Sequence, residues 1–201
     1  MKTLLSVITF LTLLATVQLA EAQNSDFQLT LEPGYEMKID GTANVRDWDA
    51  DVKTIDATFV LSEFDFSDLE SLTPDHFKTM ELTIPVEDIE SDSGRLTRNL
   101  QGYLKRDEHP TITFNMSDVE SVTVEDNEAT IIAKGIMNAA GVDYETTMNV
   151  TATLNDGTIT FSGSQDLLMT DFNIDPPTAV MGTIRARDEI SIIYTLTFSN
   201  N

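Results

Sequence analysis

Alternation with a period of two runs through most of the chain. Near the C-terminus Ile190, Ile192, Tyr194, Leu196 and Phe198 alternate with Ser191, Ile193, Thr195, Thr197 and Ser199, which puts one nearly continuous apolar face on a strand. Val142, Tyr144, Met148, Val150, Ala152 and Leu154 keep even positions too, interrupted only at Thr146, and Ile112, Phe114 and Met116 repeat the pattern. Phe27, Leu29 and Leu31, followed by Tyr35, Met37, Ile39, Ala43 and Val45, predict a first strand or pair of strands broken at Pro33-Gly34. Residues 57–61 and 82–86 predict two more. Asn155-Asp156-Gly157 separates two runs, and Asp126-Asn127 follows Val122 and Val124; such pairs supply the positive φ angles of tight hairpins. Helical signals are confined to a short turn over 66–72 and to 95–103, where Leu96, Leu100 and Tyr103 recur at spacings of four and three behind Ser93-Gly94. These segments are too short and too few for βαβ crossovers. The pattern predicts an all-β, antiparallel fold, either a closed barrel or a sandwich, and periodicity alone does not choose between them.

The first residues follow a different rule. Lys2 precedes an apolar run over 4–14, and Ala20-Glu21-Ala22 follows it, the order of a secretory signal peptide cleaved after Ala22. The domain then spans 23–201, and the expected location is periplasmic or secreted. No second apolar stretch approaches the roughly 20 residues needed to cross a bilayer as a helix. Removing 1–22 takes away one base, Lys2, and one acid, Glu21, so the net charge stays at −22. A charge that large repels nucleic acid and anionic membrane surfaces and argues against recognition of either by a basic face. With no cysteine in the chain, neither disulfides nor thiolate ligands contribute, and a packed core must hold the fold.

Little in the chain points to catalysis. His76 and His109 are the only histidines, and neither has a partner at a zinc-binding spacing. No nucleophile elbow, phosphate loop or dinucleotide fingerprint occurs. Asp47, Asp49 and Asp51 share one side of a strand-like segment and Asp65 and Asp68 flank a turn, yet neither group has the order of a dedicated Ca²⁺ loop, and a solvated acidic face explains both. No metal, no cofactor and no enzymatic activity are expected.

Several landmarks, taken in order, resemble the YceI-like family. They are Gly41-Thr42 with Asp47-Trp48; the segment 82–89 beginning Leu82-Thr83-Ile84-Pro85; His109-Pro110-Thr111-Ile112-Thr113-Phe114; Gly135-Ile136-Met137 running on to Gly141-Val142; and 168–177, closed by Asp188-Glu189-Ile190. Together they cover 35–198. The resemblance departs where His109 stands in place of a common Tyr and where Asn138-Ala139-Ala140 replaces a more β-branched stretch. It implies an extended, lipocalin-like antiparallel β-barrel with one or two short helices and a lumen for a long isoprenoid chain.

On that reading the partner is an apolar lipid, a polyisoprenoid or isoprenoid quinone, held for storage or transport. A homodimer is compatible with the sequence. Phe59, Phe114, Met116, Tyr144, Met148, Met169 and Phe172 are the candidate lining, since the strand phases put aromatic and thioether side chains on apolar faces and flexible methionine adapts to an irregular apolar chain. Trp48, His109 and Tyr194 are the candidate headgroup contacts, each with an apolar body and a polar end. The alternative is a secreted structural or interaction domain whose barrel is filled by its own side chains. Terminal sequencing of exported protein is expected to begin at Gln23, and a mature protein that keeps Met1 would contradict the leader reading.

Overall fold

The computed structural model describes residues 26–179 and 181–200; the signal peptide expected over 1–22 lies outside the described residues. In chain order the strands are β1 (Asp26–Leu31), β2 (Glu36–Ala43), β3 (Trp48–Val52), β4 (Asp56–Ser62), β5 (Phe77–Pro85), β6 (Ile89–Glu90), β7 (Thr111–Glu125), β8 (Glu128–Ala139), β9 (Val142–Asn155), β10 (Thr158–Leu168), β11 (Thr178–Ala179) and β12 (Ile184–Ser199). One α-helix, α1 (Gly94–Tyr103), lies between β6 and β7. Four single 3₁₀ turns, at Leu69–Ser71, Pro74–His76, Val86–Asp88 and Met169–Phe172, complete the described elements. Only the first of these turns has a counterpart in the hydrophobic pattern.

All pairings are antiparallel, and eight strands close on themselves in the order β1-β4-β5-β7-β8-β9-β10-β12, with β12 returning to β1 at Thr30↔Ser199 and Leu31↔Phe198. The fold is an all-β barrel. Closure leaves the lower part of the ring without an open edge and decides for a barrel over a sandwich. Three hairpins carry positive φ at both central residues: Asp126 (51°) with Asn127 (65°), Ala140 (51°) with Gly141 (80°), and Asp156 (47°) with Gly157 (80°). That geometry matches the right-handed twist of the flanking strands.

Strand β7 explains why its sequence reads as two pieces. Its register on β8 slips between Met116 and Asp118 and again between Val119 and Ser121. Each bulge reverses the parity of the inward face, so Met116, Val119 and Val122 all turn inward although their spacing is three. At β2 the hydrophobic pattern overruns the strand: pairing ends at Ala43, and Val45 stands in the following turn with 63% of its surface exposed.

The end of the barrel closed by β1 and β12, here the lower end, is solid. Phe59 lies 5.1 Å from Phe198, 5.3 Å from Phe161 and 6.2 Å from Phe77, centroid to centroid. Leu61, Ile159 and Leu196 complete this plug, each 2% exposed or less. The pairs with Phe198 and Phe161 are edge to face and the pair with Phe77 is stacked, and aromatic pairs of both kinds add stability beyond the area they bury. Beneath the plug Phe66 meets Phe27 at 5.6 Å and Phe64 at 4.8 Å, both edge to face. Phe59→Ala is expected to cost about 3–5 kcal/mol, because the plug is held on all sides and cannot collapse into the gap; chemical denaturation of the two proteins measures it.

Candidate functional site

At the other end the wall is built differently. β1 and β4 cover only the lower part, and above them β12 pairs instead with β2, from Thr195↔Glu36 up to Ala186↔Ala43. β2 then pairs with β3, and β3 with β6. Helix α1 spans the remaining distance to β7. Ser93 caps it by accepting from the Leu96 amide, and Gln101 ties it to the wall by donating to the carbonyls of Glu87 (2.9 Å) and Ile89 (3.4 Å). Arg106 in turn donates to the Gln101 side-chain oxygen at 2.9 Å. Leu96, Leu100 and Leu104 thereby face inward as part of the upper wall.

A second gap opens between β9 and β10, whose pairing stops at Gly163↔Val150. The 3₁₀ turn Met169–Phe172 fills it, and the Thr170 amide and hydroxyl both donate to Asp188 on β12, at 3.0 and 2.6 Å. Met169 and Phe172 are buried and turn inward.

These walls enclose a cavity of about 340 Å³ reaching from the aromatic plug to the α1 end. An engineered hole of about 150 Å³ already admits benzene, and ligand sites begin near 300 Å³. Among the described residues no Asp, Glu, Lys, Arg or His lines it. At its upper end the β2–β3 turn is tied to the turn before β12 by Asn44, which donates to the Thr183 carbonyl at 2.9 Å and accepts from the Arg185 amide at 2.8 Å. Val45 and Met181 stand exposed on the two turns.

Glycine keeps the chamber open. Gly41 is opposite Trp48 across β2–β3, and Gly163 is opposite Tyr194 across β10–β12. Gly135 on β8 lies under Phe114 of β7. A Cβ at Gly41 or Gly135 would collide with the indole or the phenyl ring, and one at Gly163 would stand 2.6 Å from the Tyr194 hydroxyl. Each ring can lie against the wall because the strand beneath it has no side chain. None of these three has a positive φ, so close approach, and not backbone freedom, is what requires glycine.

Phe59, Phe114, Met116, Met148, Met169 and Phe172 border the cavity, with Phe59 in its floor. Tyr144 does not. It packs on Phe172 at 5.5 Å in a separate cluster with Met137, Ala139 and Leu167, because the inserted 3₁₀ turn occupies the inward space beside β9. Of the three candidate headgroup residues, Trp48 and Tyr194 border the cavity and His109 does not. The His109 ring is pressed on Gly141 at the β8–β9 turn, outside the wall. Tyr194 is 7% exposed, its hydroxyl has no hydrogen-bond partner among the described residues, and burial pushes its pKa up to about 12. Periodicity did not connect α1, or Met80 and Leu82 of β5, with the chamber, since the strand order that brings them there is not written in any one segment.

The acidic groups have local roles. Asp65 accepts from the Ser67 hydroxyl (2.7 Å) and amide (2.8 Å), which holds its carboxyl below its ordinary pKa. Asp68 accepts from the Glu70 amide, and Asp51 pairs with Lys53 at 2.6 Å. Among the described residues no group of three or more His, Cys, Asp or Glu side chains could hold a metal ion. No helix among them is long and apolar enough to cross a membrane.

A barrel solid at one end and hollow at the other, with an uncharged lumen, belongs to the lipocalin-like class of antiparallel barrels. Residues 35–198 match the YceI-like domain, and the chain belongs to that family. Among solved structures it is similar to BcnA of Burkholderia cenocepacia, at 19% identity and a TM-score of 0.60 over 81% of this chain and 95% of that one. It is similar also to a polyisoprenoid binding domain from Saccharophagus degradans implicated in plant cell wall breakdown, at 8% identity and a TM-score of 0.62 over 87% and 98%. The YCEI protein of Campylobacter jejuni aligns at 19% identity and a TM-score of 0.56 over 76% and 84%. At such identities these likenesses establish the fold. No curated protein matches the chain.

Two Gly→Ala changes are expected to have opposite outcomes. Gly41→Ala is expected to destabilise by about 1–3 kcal/mol, as overpacking does, and to shift the emission of Trp48, the one tryptophan. Gly102→Ala in α1, where a Cβ meets nothing within 4 Å, is expected to stabilise by about 0.4–1 kcal/mol. Thermal denaturation followed by fluorescence reads both.

Proposed function

We propose that this protein is an exported carrier or store for a long apolar lipid, a polyisoprenoid or isoprenoid quinone, whose tail occupies the upper chamber. The observation that carries the reading is the cavity of about 340 Å³ with no charged side chain among the described residues that line it. The similar domain from Saccharophagus degradans, described as polyisoprenoid binding, supports the choice of lipid class. The energetics are sufficient: about 0.8 kcal/mol per buried methylene gives roughly 8 kcal/mol for ten, which offsets the lost freedom of the ligand at the lower end of its range. Binding in this scheme needs no bond chemistry. Neither histidine borders the chamber: His76 accepts from the Thr73 amide at 3.0 Å, and His109 rests on Gly141.

Organic extraction of freshly purified protein, followed by mass spectrometry, is expected to release a polyprenyl lipid in near-stoichiometric amount. Phe114→Asp is expected to lower uptake of added lipid at least tenfold in a protein that still melts cooperatively, because its carboxylate would face the apolar lumen without a partner. No extracted lipid together with no uptake by the wild type would favour the scaffold alternative.

A further inference from the structure

Resting on the lipid-binding reading above, we propose that the Tyr194 hydroxyl is a hydrogen-bond donor to the bound lipid, whose class is therefore one carrying an acceptor oxygen, a carbonyl or an ether, inside the chamber. A pure hydrocarbon, or a lipid whose only polar group stays at the mouth, does not meet this requirement.

Three observations converge on this residue. Tyr194 borders the cavity while being more than nine-tenths buried, and its oxygen is a buried side-chain polar atom with no hydrogen-bond partner among the described residues. Its position is built: Gly163 stands directly opposite, and a Cβ there would come within 2.6 Å of the hydroxyl and 3.1 Å of the Asn149 carbonyl oxygen. The phenol thus runs across β10 toward β9 at the fork where these strands part; its ring borders the lumen and its oxygen is tucked against the wall, so donation to a ligand requires a small shift of the side chain into the chamber. Finally, the site is well below the mouth, nearer the plug than the α1 end, since Leu196 two residues on is already part of the packed floor.

The cost of this arrangement identifies its purpose. A hydroxyl buried without a partner destabilises by about 1–3 kcal/mol, and phenylalanine would fill the same space without that penalty. Leucine, isoleucine and phenylalanine occupy the other inward positions of the lower half of β12. A tyrosine here is accounted for if the missing partner enters with the ligand. The phenol remains protonated at neutral pH, so it has a proton to donate, and an acceptor oxygen in the lumen is the complementary group.

Two isoprenoid probes separate this proposal from the reading beneath it: farnesylacetone, a ketone, and farnesene, a hydrocarbon. Affinities come from quenching of Trp48, which borders the same chamber. Wild-type protein is expected to bind both, and the infrared carbonyl stretch of bound farnesylacetone to fall below its value in hexane. Tyr194→Phe is expected to weaken the ketone about tenfold, the equivalent of one hydrogen bond, to leave farnesene unchanged or tighter, to return the carbonyl stretch to its hexane value, and to raise the melting temperature of the lipid-free protein. Binding of both probes with no selective loss in Tyr194→Phe, or an unshifted stretch in the wild type, overturns the role of Tyr194 and leaves lipid binding standing. Failure of both probes to bind the wild type overturns both. The infrared measurement needs no variant and decides the question even if Tyr194→Phe does not fold.

Discussion

The architecture depends on how one long strand divides its free edge. β12 has 16 residues and pairs with β10 from Leu168↔Glu189 down to Thr158↔Ser199. Its other edge is shared, with β1 taking the lowest residues and β2 the rest. Backbone groups left unpaired along either part would be costly. Below, the ring closes through two strands, β1 and β4; above, it closes through three, β2, β3 and β6, with α1 added. The upper circumference is longer, so side chains meet across the lower barrel and cannot do so across the upper one. A plug of four phenylalanines and a chamber follow from the same division.

Leaving space inside a protein is ordinarily unfavourable. If the chamber were sealed and empty, a cost of about 24 cal/mol per Å³ would put its penalty on the order of 8 kcal/mol, comparable with the entire stability of many domains. Two features keep the sheet from collapsing inward. The rings of Trp48, Phe114 and Tyr194 lie along glycines and serve as wall, while the 3₁₀ turn pinned to Asp188 holds β9 and β10 apart. The solid lower half supplies the stability that a hollow upper half forgoes. A ligand that fills the space would add its binding free energy to that of folding.

The strands were legible wherever one face is buried and the other wet, as along β9 and β12, because such faces force a period of two. Legibility failed where a second influence disturbed the period. In β7 two bulges shift the inward parity, and in β8 the outward Ile132 and Ile136 blur the alternation, so that its landmark glycine was recognisable by resemblance and not by pattern. Site residues were legible as chemistry but not as place. The eight that border the cavity, Trp48 and Tyr194 among them, are aromatic or thioether residues; Tyr144 satisfies the same description and is displaced because a turn 25 residues further on, at Met169, inserts beside it. The three glycines under aromatic rings left a usable trace, since glycine within an alternating run marks a place where something approaches the backbone.

An apolar lumen discriminates weakly by itself. Adding or removing a methylene changes affinity by about 0.8 kcal/mol, which ranks ligands by size and little else. Polar groups discriminate more sharply, because an unpaired one penalises the wrong ligand while a paired one costs the right ligand nothing. Among the described residues the polar side chains of this chamber are few: Asn99, Tyr103, Thr113 and Thr178 toward the α1 end, Gln165 further down, the Trp48 ring nitrogen, and the Tyr194 hydroxyl. Gln165 already donates to the Asp166 carbonyl at 3.1 Å. Selectivity therefore falls to very few atoms, and the shape and greasiness of the remaining wall set how tightly any chain is held, not which chain it is.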